Sequence, residues 1–418
     1  MRIIPKQGVC DPHIHIFNGK AYMFSTHDRS PANEGFRMDD WRIFSSDDLL
    51  NWTLDYTFRP EDTFLGTCDE CYATDAAERN GKYYLYFSKG QQCTGVAVSE
   101  TGPAGPYKDA LGRPLLPEGL ADTASYDPAV FIDDDEAKTP YILWGYTCND
   151  KKYYIARLNE DMTSLAEEPR PIEIENTWSG NDAVCLTKRN GIYYLSSHRS
   201  FYATSENIYG PYTYRGMFCE EAYVDHGTFF NYHNQTYFTY GVPENWGEPD
   251  MNRYYRTTKM MYAHYRANGE IVIDEFIQKM GVGHYDASWD IIKGEWYFAA
   301  SDGIVKTENG TGFDIHGIRD GSYLYYPNIS GMVQNARIRL HAVNPSGRPC
   351  IVEIREDSPF GHVLGCCPVG WTGTQDELAE IPCCLENPFG THNLCFVFRG
   401  EGEDLLHFDG FRFEQIRP

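Results

Sequence analysis

A short motif recurs through the first two thirds of this 418-residue chain and restricts its fold more than any other feature. It reads NGKAYMF at residues 18–24, NGKYYLYFS at 80–88 and NGIYYLSS at 190–197, with weaker copies at 138–145 and 234–241. An Asn-Gly pair followed by a short aromatic strand is typical of a β-hairpin. Copies that return after some tens of residues have the spacing of propeller blades. The pattern therefore predicts five blades over roughly residues 8–280.

The sequence changes character after residue 282. The segments 336–343, 351–355 and 394–399 alternate apolar and polar residues with a period of two, as half-buried strands do. Turns that contain Gly and Pro separate them, which is typical of a β-sandwich. We therefore predict an all-β protein with two domains, a five-bladed β-propeller at residues 1–282 and a β-sandwich (jelly-roll) domain at residues 283–418.

Composition excludes several classes of partner. The chain has 36 Lys and Arg residues against 60 Asp and Glu residues, a formal net charge of −24. Such a charge repels nucleic-acid phosphates and anionic lipid, and no apolar run is long enough for a membrane-spanning helix. The 31 Tyr residues fit strand positions, so their number alone does not require a ligand. We expect no nucleic acid and no membrane as partner, and the sequence does not indicate an oligomeric state.

The first ten residues, MRIIPKQGVC, contain no apolar signal region. Together with 13 Cys residues, an odd number, this favours reduced thiols in a cytoplasm. The alternative is a secreted protein whose signal segment is missing from this chain. Cys68 and Cys71 form a CxxC, but no second pair at metal spacing accompanies them, so buried free thiols are expected rather than zinc.

Acidic residues precede the predicted blade strands in similar frames. Asp11-Pro12 and Asp127-Pro128 each stand before an apolar strand, and Asp75 and Asp182 occupy comparable positions in two other blades. Because innermost strands line the centre of a propeller, these four carboxylates are expected to converge in one cavity. Hydrolysis of a glycosidic bond needs one carboxylic acid and one carboxylate, and crowding of like charges raises the pKa of one of them. The frames therefore indicate a glycosidase site.

These segments and the repeats resemble glycoside hydrolase family 43, the arabinofuranosidase and xylosidase family, over residues 8–280. The resemblance implies that Asp11 is the general base of an inverting reaction, and that Asp127 is a third acid that tunes and orients the general acid. It implies that Arg256 contacts the substrate or a catalytic carboxylate. His226 resembles a central histidine that lies near a bound calcium or water cluster. The family thus implies no required cofactor, with a water-mediated structural calcium at His226.

The general acid departs from the family pattern. A Glu-Gly-Pro segment is expected before the turn that here is Lys188–Gly191, and counting back places Asp182 at the position of the Glu. Asp is one methylene shorter, and a displacement of about 1 Å can cost on the order of a hundredfold in rate. Either Asp182 is the acid of a reshaped site, or another acid reaches in, or the protein binds sugars without cleaving them. The other acids considered are Glu175, Glu221 and Glu244.

Substrate-binding side chains are expected at or near the inner blade strands. They are His27, Asp28, Tyr72, Asp75, Trp144 and Arg256. The C-terminal part resembles a family 6 carbohydrate-binding module, most specifically in its segments 397–399 and 408–414. Of the two aromatic residues that clamp a sugar in that family, one aligns with Tyr323 and the other with Gly317, which cannot stack. A reduced site at Trp371 and His407, or a purely structural role, is therefore expected for this domain.

Together these observations predict an inverting, exo-acting glycosidase that releases a terminal pentose from plant-type oligosaccharides. α-L-Arabinofuranose is the first expectation and β-D-xylose the next, with an oligosaccharide as the binding partner. The alternative is a catalytically weak or inactive carbohydrate-binding propeller, because the expected Glu is Asp182. A propeller that serves only as an interaction scaffold would not need the matched acidic frames.

Overall fold

The structure of the protein is a computed structural model, and it describes residues 2–178, 180–219, 224–333, 336–373, 378–386 and 389–414. The described chain divides into two compact units. One comprises residues 2–230 and 238–260, and the other comprises residues 231–237 and the chain from 261 onward. The predicted domain boundary at residue 282 stays a prediction. The two units are called the N-terminal and the C-terminal unit below.

The all-β prediction is confirmed, and the N-terminal part of the chain forms blades of a β-propeller whose strands pair antiparallel, except for one short parallel pair in the fourth blade. The first blade contains β1 (Val9–Phe17), β2 (Lys20–Asp28), β3 (Met38–Ser46) and β4 (Thr53–Phe58). The second contains β5 (Cys71–Arg79), β6 (Lys82–Lys89), β7 (Cys93–Ser99) and β8 (Lys108–Asp109). The third contains β9 (Ala129–Ile132), β10 (Pro140–Gly145), β11 (Tyr153–Arg157) and β12 (Arg170–Pro171). The fourth contains β13 (Ile174–Glu175), β14 (Cys185–Arg189), β15 (Ile192–Ser196), β16 (Phe201–Ser205) and β17 (Tyr212–Met217), and the fifth contains β18 (Gly227–Tyr232), β19 (Gln235–Pro243) and β20 (Arg256–Tyr262).

The repeated Asn-Gly pairs form the hairpin turns that the motif predicts. In the turns β1–β2, β5–β6 and β14–β15, the Asn residues have φ values of 54°, 54° and 50°, and the following Gly residues have φ values of 81°, 76° and 79°. Two successive residues with positive φ make a type I′ turn, whose twist matches that of the flanking strands. The turn sequence thus sets the register of the first two strands in three blades.

Aromatic residues of the blade strands, including those of the motif, pack between neighbouring blades. Trp41 and Phe58 of the first blade meet Phe87 of the second at ring distances of 5.0 and 5.5 Å. A second cluster joins the second and third blades around Tyr86 and Trp144, and a third joins the next pair. Full burial of one such side chain stabilises a fold by roughly 1.5–3 kcal/mol. The aromatic content is therefore largely accounted for by contacts between blades.

The C-terminal unit is mainly a two-sheet β-sandwich. Its elements are β21 (His264–Tyr265), β22 (Ile271–Val272), α1 (Glu275–Met280), β23 (Tyr285–Asp286), β24 (Ile292–Lys293), β25 (Ala299–Ala300), β26 (Val305–Glu308), β27 (Phe313–His316), β28 (Tyr323–Met332), β29 (Arg337–Val343), β30 (Cys350–Glu356), β31 (Val363–Val369), β32 (Ala379–Cys384), β33 (Gly390–Gly400) and β34 (His407–Glu414). One sheet has the order β23-β28-β33-β30-β31, and the other has the order β26-β27-β34-β29-β32. No helix in the described ranges is long and apolar enough to cross a membrane.

Candidate active site

Arg256 is the centre of a buried group of three carboxylates in the N-terminal unit. It lies at the start of β20 and donates to both oxygens of Asp11, at 2.8 and 3.2 Å. It also donates to both oxygens of Asp28, at 2.9 and 3.1 Å, and to Asp225 at 3.1 Å. Its side chain is only 3% exposed. A rigid guanidinium fork suits such two-point contacts, which Lys cannot reproduce.

The acidic residues share a backbone frame that the hairpins fix. Asp11 falls in the β1 bulge two residues before the paired residue His13, whereas Asp127 and Asp225 stand two residues before β9 and β18 begin. Asp11 and Asp127 both have left-handed backbones, with φ of 48° and 51°. Asp182 stands three residues before β14, and the residue after it, Ala183, has a φ of 59°. The blade geometry therefore brings these four acids to equivalent places.

Asp127 is the most enclosed of the acids without a cationic partner. The backbone N–H of Ala183 donates to its Oδ2 at 3.3 Å, and its own N–H donates to the Ser88 hydroxyl at 3.2 Å. Burial and the charges of Asp182 and Asp11 raise the pKa of Asp127 well above its ordinary value. Asp127 is thus electrostatically linked to both other predicted catalytic acids, which the structure brings together with it.

Asp182 is held by a tyrosine rather than by a cation. The hydroxyl of Tyr126, which is itself buried, donates to Asp182 Oδ2 at 3.1 Å. Burial, followed by the charge of Asp225, raises the pKa of Asp182 above its ordinary value. A carboxyl group that keeps its proton to higher pH is suited to act as a general acid.

Asp225 is an acidic member of the site that sequence reasoning missed. It contacts Arg256, and its Oδ1 lies 3.2 Å from Nδ1 of His198. Burial acts to raise the pKa of Asp225, but the hydrogen bond from His198 and the charge of Arg256 outweigh it and hold the pKa below its ordinary range. The signal that could have found Asp225 is its spacing, since it precedes its strand by the same two residues as Asp127.

Asp75 does not join the carboxylate group, so the prediction of a four-acid convergence that includes it is wrong. Its Oδ1 lies 2.8 Å from His13 and 2.6 Å from His15, and Asp75 lies in a separate cavity of about 470 Å³ that is lined by the inner strands of all five blades. The β5 bulge falls between Tyr72 and Thr74, so Asp75 lies beyond the bulge. Asp75 pairs with Tyr86 of the neighbouring strand, whereas Asp11 lies in the unpaired bulge of β1.

His226 connects these two regions. Its Nε2 lies 3.0 Å from Nε2 of His13, and its Nδ1 lies 3.8 Å from Asp127 Oδ2. Burial and neighbouring His13 lower the pKa of His226 to about 4. Calcium prefers six to eight oxygen ligands, whereas the groups beside His226 offer one imidazole nitrogen and one carboxylate. This donor set does not fit direct calcium binding, and a water-mediated calcium stays a prediction.

The other predicted substrate residues fall into two groups. Tyr72 is half-buried, and burial together with the charges of Glu70 and Asp127 raises its pKa. The charge of Asp127 therefore acts on the Tyr72 hydroxyl. Asp28 is fully buried against Arg256, and Trp144 is fully buried between blades. For these two the prediction of substrate contact is wrong, because neither side chain reaches solvent. His27 is bonded to Asp40 at 3.0 Å on the adjacent strand.

Two of the alternative general acids lie away from this group. Glu175 is exposed on β13, at the opposite edge of its blade from β14. Glu244 accepts the backbone N–H of Lys6 at 2.9 Å and pairs with Arg2. Glu221 lies outside the described residues. Of the acids considered in the described chain, Asp182 is therefore the one that the structure places beside Asp127.

Beside Arg256 lie two aromatic residues that were not predicted, Phe36 and Tyr254, together with the predicted Tyr72. The Phe36 ring lies 5.0 Å from Tyr254 and 6.4 Å from Tyr72, both edge to face, and the Arg256 guanidinium is centred 5.0 Å from the same ring. The Arg253 guanidinium lies 5.2 Å from the Tyr254 ring. Half-buried aromatic rings next to carboxylates form a surface on which the apolar face of a sugar ring can pack.

Two known families match the chain, one in its propeller part and the other in its β-sandwich part. Residues 3–199 match the family described as glycosyl hydrolases family 43. Residues 297–415 match the carbohydrate binding module of family 6.

Curated relatives extend over one or both parts. An arabinoxylan arabinofuranohydrolase of Paenibacillus polymyxa is 25% identical, over 96% of this chain and 72% of that protein. A xylosidase/arabinosidase of Bacteroides ovatus is 31% identical, over 51% of this chain and 79% of that protein. A xylosidase/arabinosidase of Humicola insolens is also 31% identical, over 50% of this chain and 80% of that protein.

Solved structures give the same picture. An arabinoxylan arabinofuranohydrolase of family 43 from Bacillus subtilis, in complex with cellotetraose, matches with a TM-score of 0.56 at 22% identity and covers 99% of this chain and 96% of that one. A β-xylosidase/α-arabinofuranosidase of the same family from a compost metagenome, in complex with xylotriose and calcium-free, matches with a TM-score of 0.56 at 26% identity and covers 66% of this chain and 96% of that one. The first match supports the fold across both parts of the chain.

Proposed function

This chain belongs to glycosyl hydrolase family 43 and is a glycosidase, and from that premise we propose that it releases terminal pentoses by an inverting, exo-acting reaction. Its C-terminal part is a family 6 carbohydrate-binding module. We infer α-L-arabinofuranose as the preferred sugar and β-D-xylose as the second, because the relatives carry arabinofuranohydrolase and xylosidase/arabinosidase names.

The contrast between the surroundings of Asp11 and Asp182 carries this proposal. Asp11 forms a two-point ion pair with Arg256 and accepts the Thr26 hydroxyl at 2.7 Å, so its lone pairs and charge are oriented. Asp182 contacts no cation directly among the described residues and has a raised pKa. Two carboxyl groups whose environments differ in this way are suited to opposite roles in acid–base catalysis.

The proposed mechanism assigns one proton movement to each of these groups. Asp11 accepts a proton from a water molecule, and this water attacks the anomeric carbon. Asp182 donates its proton to the glycosidic oxygen as the bond to the leaving group breaks. In an inverting site the two carboxyl groups stand about 6.5–9.5 Å apart, which leaves room for the water. The next turnover begins after solvent removes the proton from Asp11 and returns one to Asp182.

Asp127 acts through Asp182 and is a positioning residue in this proposal. It holds Ala183, the residue after Asp182, through the backbone N–H bond of 3.3 Å. The two carboxyl groups are also coupled electrostatically, because the charge of Asp182 raises the pKa of Asp127. Asp225 neutralises part of the Arg256 charge, and the His198 ring is hydrogen-bonded to Asp225. No step passes through calcium.

An activity screen tests the assignment. Nitrophenyl α-L-arabinofuranoside and β-D-xylopyranoside are compared, within a panel of furanosides and pyranosides, for wild type, Asp11→Asn and Asp182→Asn. We expect arabinofuranoside hydrolysis to exceed xyloside hydrolysis, Asp11→Asn to abolish both, and NMR to show inversion at the anomeric carbon. Glu175→Gln serves as a matched control, because Glu175 is exposed on an outer strand.

The screen also separates the catalytic proposal from its alternative. A carbohydrate-binding protein without activity would hydrolyse none of the glycosides at any pH, and Asp11→Asn would leave its sugar affinity unchanged. Nitrophenyl-glycoside hydrolysis that survives Asp11→Asn would reject this site while leaving the family membership intact.

A further inference from the structure

A cluster of two histidines and one aspartate lies in the C-terminal unit. Nε2 of His407 lies 3.1 Å from Oδ2 of Asp404, and Nδ1 of His316 lies 3.7 Å from the same oxygen. The two imidazole rings are 3.8 Å apart between centroids and tilted by 30°. One nitrogen or oxygen atom from each of the three residues lies within 4.8 Å of those of the other two.

Separate segments of the sandwich fix these side chains. His316 ends β27 and His407 begins β34, and the two strands pair at Ile315 and Phe408. The backbone N–H of Gly317 donates to Oδ1 of Asp404 at 2.8 Å. This bond holds one carboxylate oxygen and leaves Oδ2 directed at both imidazoles. Such a bond to the free oxygen is what orients a carboxylate ligand in metal sites.

The spacing of the donor atoms fits a first-row divalent cation. Bond lengths of about 2.0–2.2 Å from Zn²⁺ to nitrogen and oxygen place two ligand atoms of a tetrahedral site about 3.3 Å apart. The observed separations of 3.1 and 3.7 Å bracket that value. Side-chain exposures of 23% for His316 and 40% for Asp404 leave a path for the ion and a position for water. Two imidazoles and a carboxylate select zinc, cobalt, nickel or copper over calcium or magnesium.

The other histidine–aspartate cluster of the described chain does not have this geometry. His13 and His15 lie 2.8 and 2.6 Å from the same Asp75 oxygen, which is well short of the separation of about 3.3 Å between two ligand atoms of a tetrahedral zinc site. Exposure also differs, since the His13 and Asp75 side chains are 2% and 3% exposed. The His316 cluster is therefore the stronger candidate for an accessible metal site.

The same place shows why an aromatic sugar clamp is absent. Gly317 has a φ of 70°, and a Cβ atom there would lie 2.2 Å from the carbonyl oxygen of Gly303. A stacking side chain is therefore excluded at this position by backbone contact, and not only by the sequence.

We propose that His316, Asp404 and His407 bind a zinc-type divalent cation at this end of the sandwich, with water as the remaining ligand.

Cobalt titration of the reduced, chelator-treated 418-residue chain tests this site. The absorption spectrum of Co²⁺ depends on its ligands. Visible d–d bands indicate a bound ion, and a near-ultraviolet charge-transfer band indicates thiolate ligands. The second band must be followed because the chain has 13 Cys residues. We expect d–d bands without the thiolate band, saturation near one equivalent, and displacement by Zn²⁺. His407→Gln and Asp404→Asn should each weaken Co²⁺ binding by about tenfold or more, since even the loss of a supporting hydrogen bond costs 10–100-fold in metal affinity.

His362→Gln is the matched control, because His362 is an exposed histidine of the same unit, 3.9 Å from Glu386. It should bind Co²⁺ as wild type does. Thermal unfolding gives a second readout: Zn²⁺ should raise the midpoint of wild type and of His362→Gln but not of the site variants, whose metal-free midpoints show that they fold. The proposal is overturned if wild type binds no Co²⁺, if the thiolate band accompanies binding, or if His407→Gln and Asp404→Asn retain wild-type affinity.

Discussion

Replacement of Asp182 by Asn separates proton donation from every other contribution of this residue. The amide has almost the same size, and its oxygen can still accept the Tyr126 hydroxyl that contacts Asp182 at 3.1 Å. The substitution also removes a charge that burial and Asp225 make unfavourable. The free energy of unfolding should therefore not fall, so a loss of rate reflects the missing proton.

The size of the loss should depend on the leaving group. Transfer of a proton by a positioned acid contributes about 10²–10⁴-fold, or about 2.7–5.5 kcal/mol of barrier. A sugar alkoxide needs this proton, whereas nitrophenolate departs readily without it. We expect kcat/KM to fall by about a hundredfold or more on an arabinose-substituted xylooligosaccharide and by less than about tenfold on nitrophenyl α-L-arabinofuranoside.

The pH dependence supplies a second measurement on the same variant. A general acid must be protonated, so kcat/KM of wild type should decline as the pH rises through the raised pKa of Asp182. That decline should disappear in Asp182→Asn on the nitrophenyl substrate. Equal losses on the two substrates, or an unchanged decline at high pH, would refute the assignment of Asp182 as the acid.

Three further substitutions test the surrounding contacts. Because the pKa of Asp127 is raised in the folded state, this residue destabilises the fold as the pH rises above its unfolded pKa of about 4. Asp127→Asn should therefore raise the thermal midpoint at pH 7 and lose this advantage below about pH 4. The same substitution should still lower kcat. Arg256→Lys should reduce the unfolding free energy in urea by about 3 kcal/mol and kcat/KM by about a hundredfold, because Lys cannot pair with three buried carboxylates at once, whereas Arg253→Lys should change stability little. Trp144→Phe should lower the unfolding free energy by about 1–2 kcal/mol with KM unchanged; a changed KM at unchanged stability would return Trp144 to the substrate site.

Local sequence was sufficient for the parts of this protein that depend on turns. The Asn-Gly pairs predicted the hairpins, and the matched frames of Asp11 and Asp127 predicted two acids that the structure brings close. Both results follow from one cause, since a hairpin of fixed register also fixes the residue that precedes it. The position of Arg256 against Asp11 came from the family resemblance and not from any local pattern.

The errors have a common physical origin in strand register. Asp75 was expected in the acid frame, but the β5 bulge at Ala73 places Asp75 beyond it, toward another cavity. Asp225 has the same spacing to its strand as Asp127, but sequence reasoning selected the neighbouring His226 instead. Trp144 and Asp28 could not be distinguished from pocket residues, because burial depends on packing between blades that are distant in sequence. Bulges and contacts between blades are set by tertiary structure, which a linear pattern does not show.

The left-handed backbones of Asp11 and Asp127 have a practical consequence for trapping intact substrate. Among L-residues, Asn and Asp enter this conformation most readily, whereas Ala and Glu acquire steric strain there. Asn can therefore replace either acid without disturbing the β1 bulge or the turn before β9. Asp11→Asn is thus the variant best suited to crystals that hold an uncleaved oligosaccharide, and such a complex would show which sugar and linkage the site accepts.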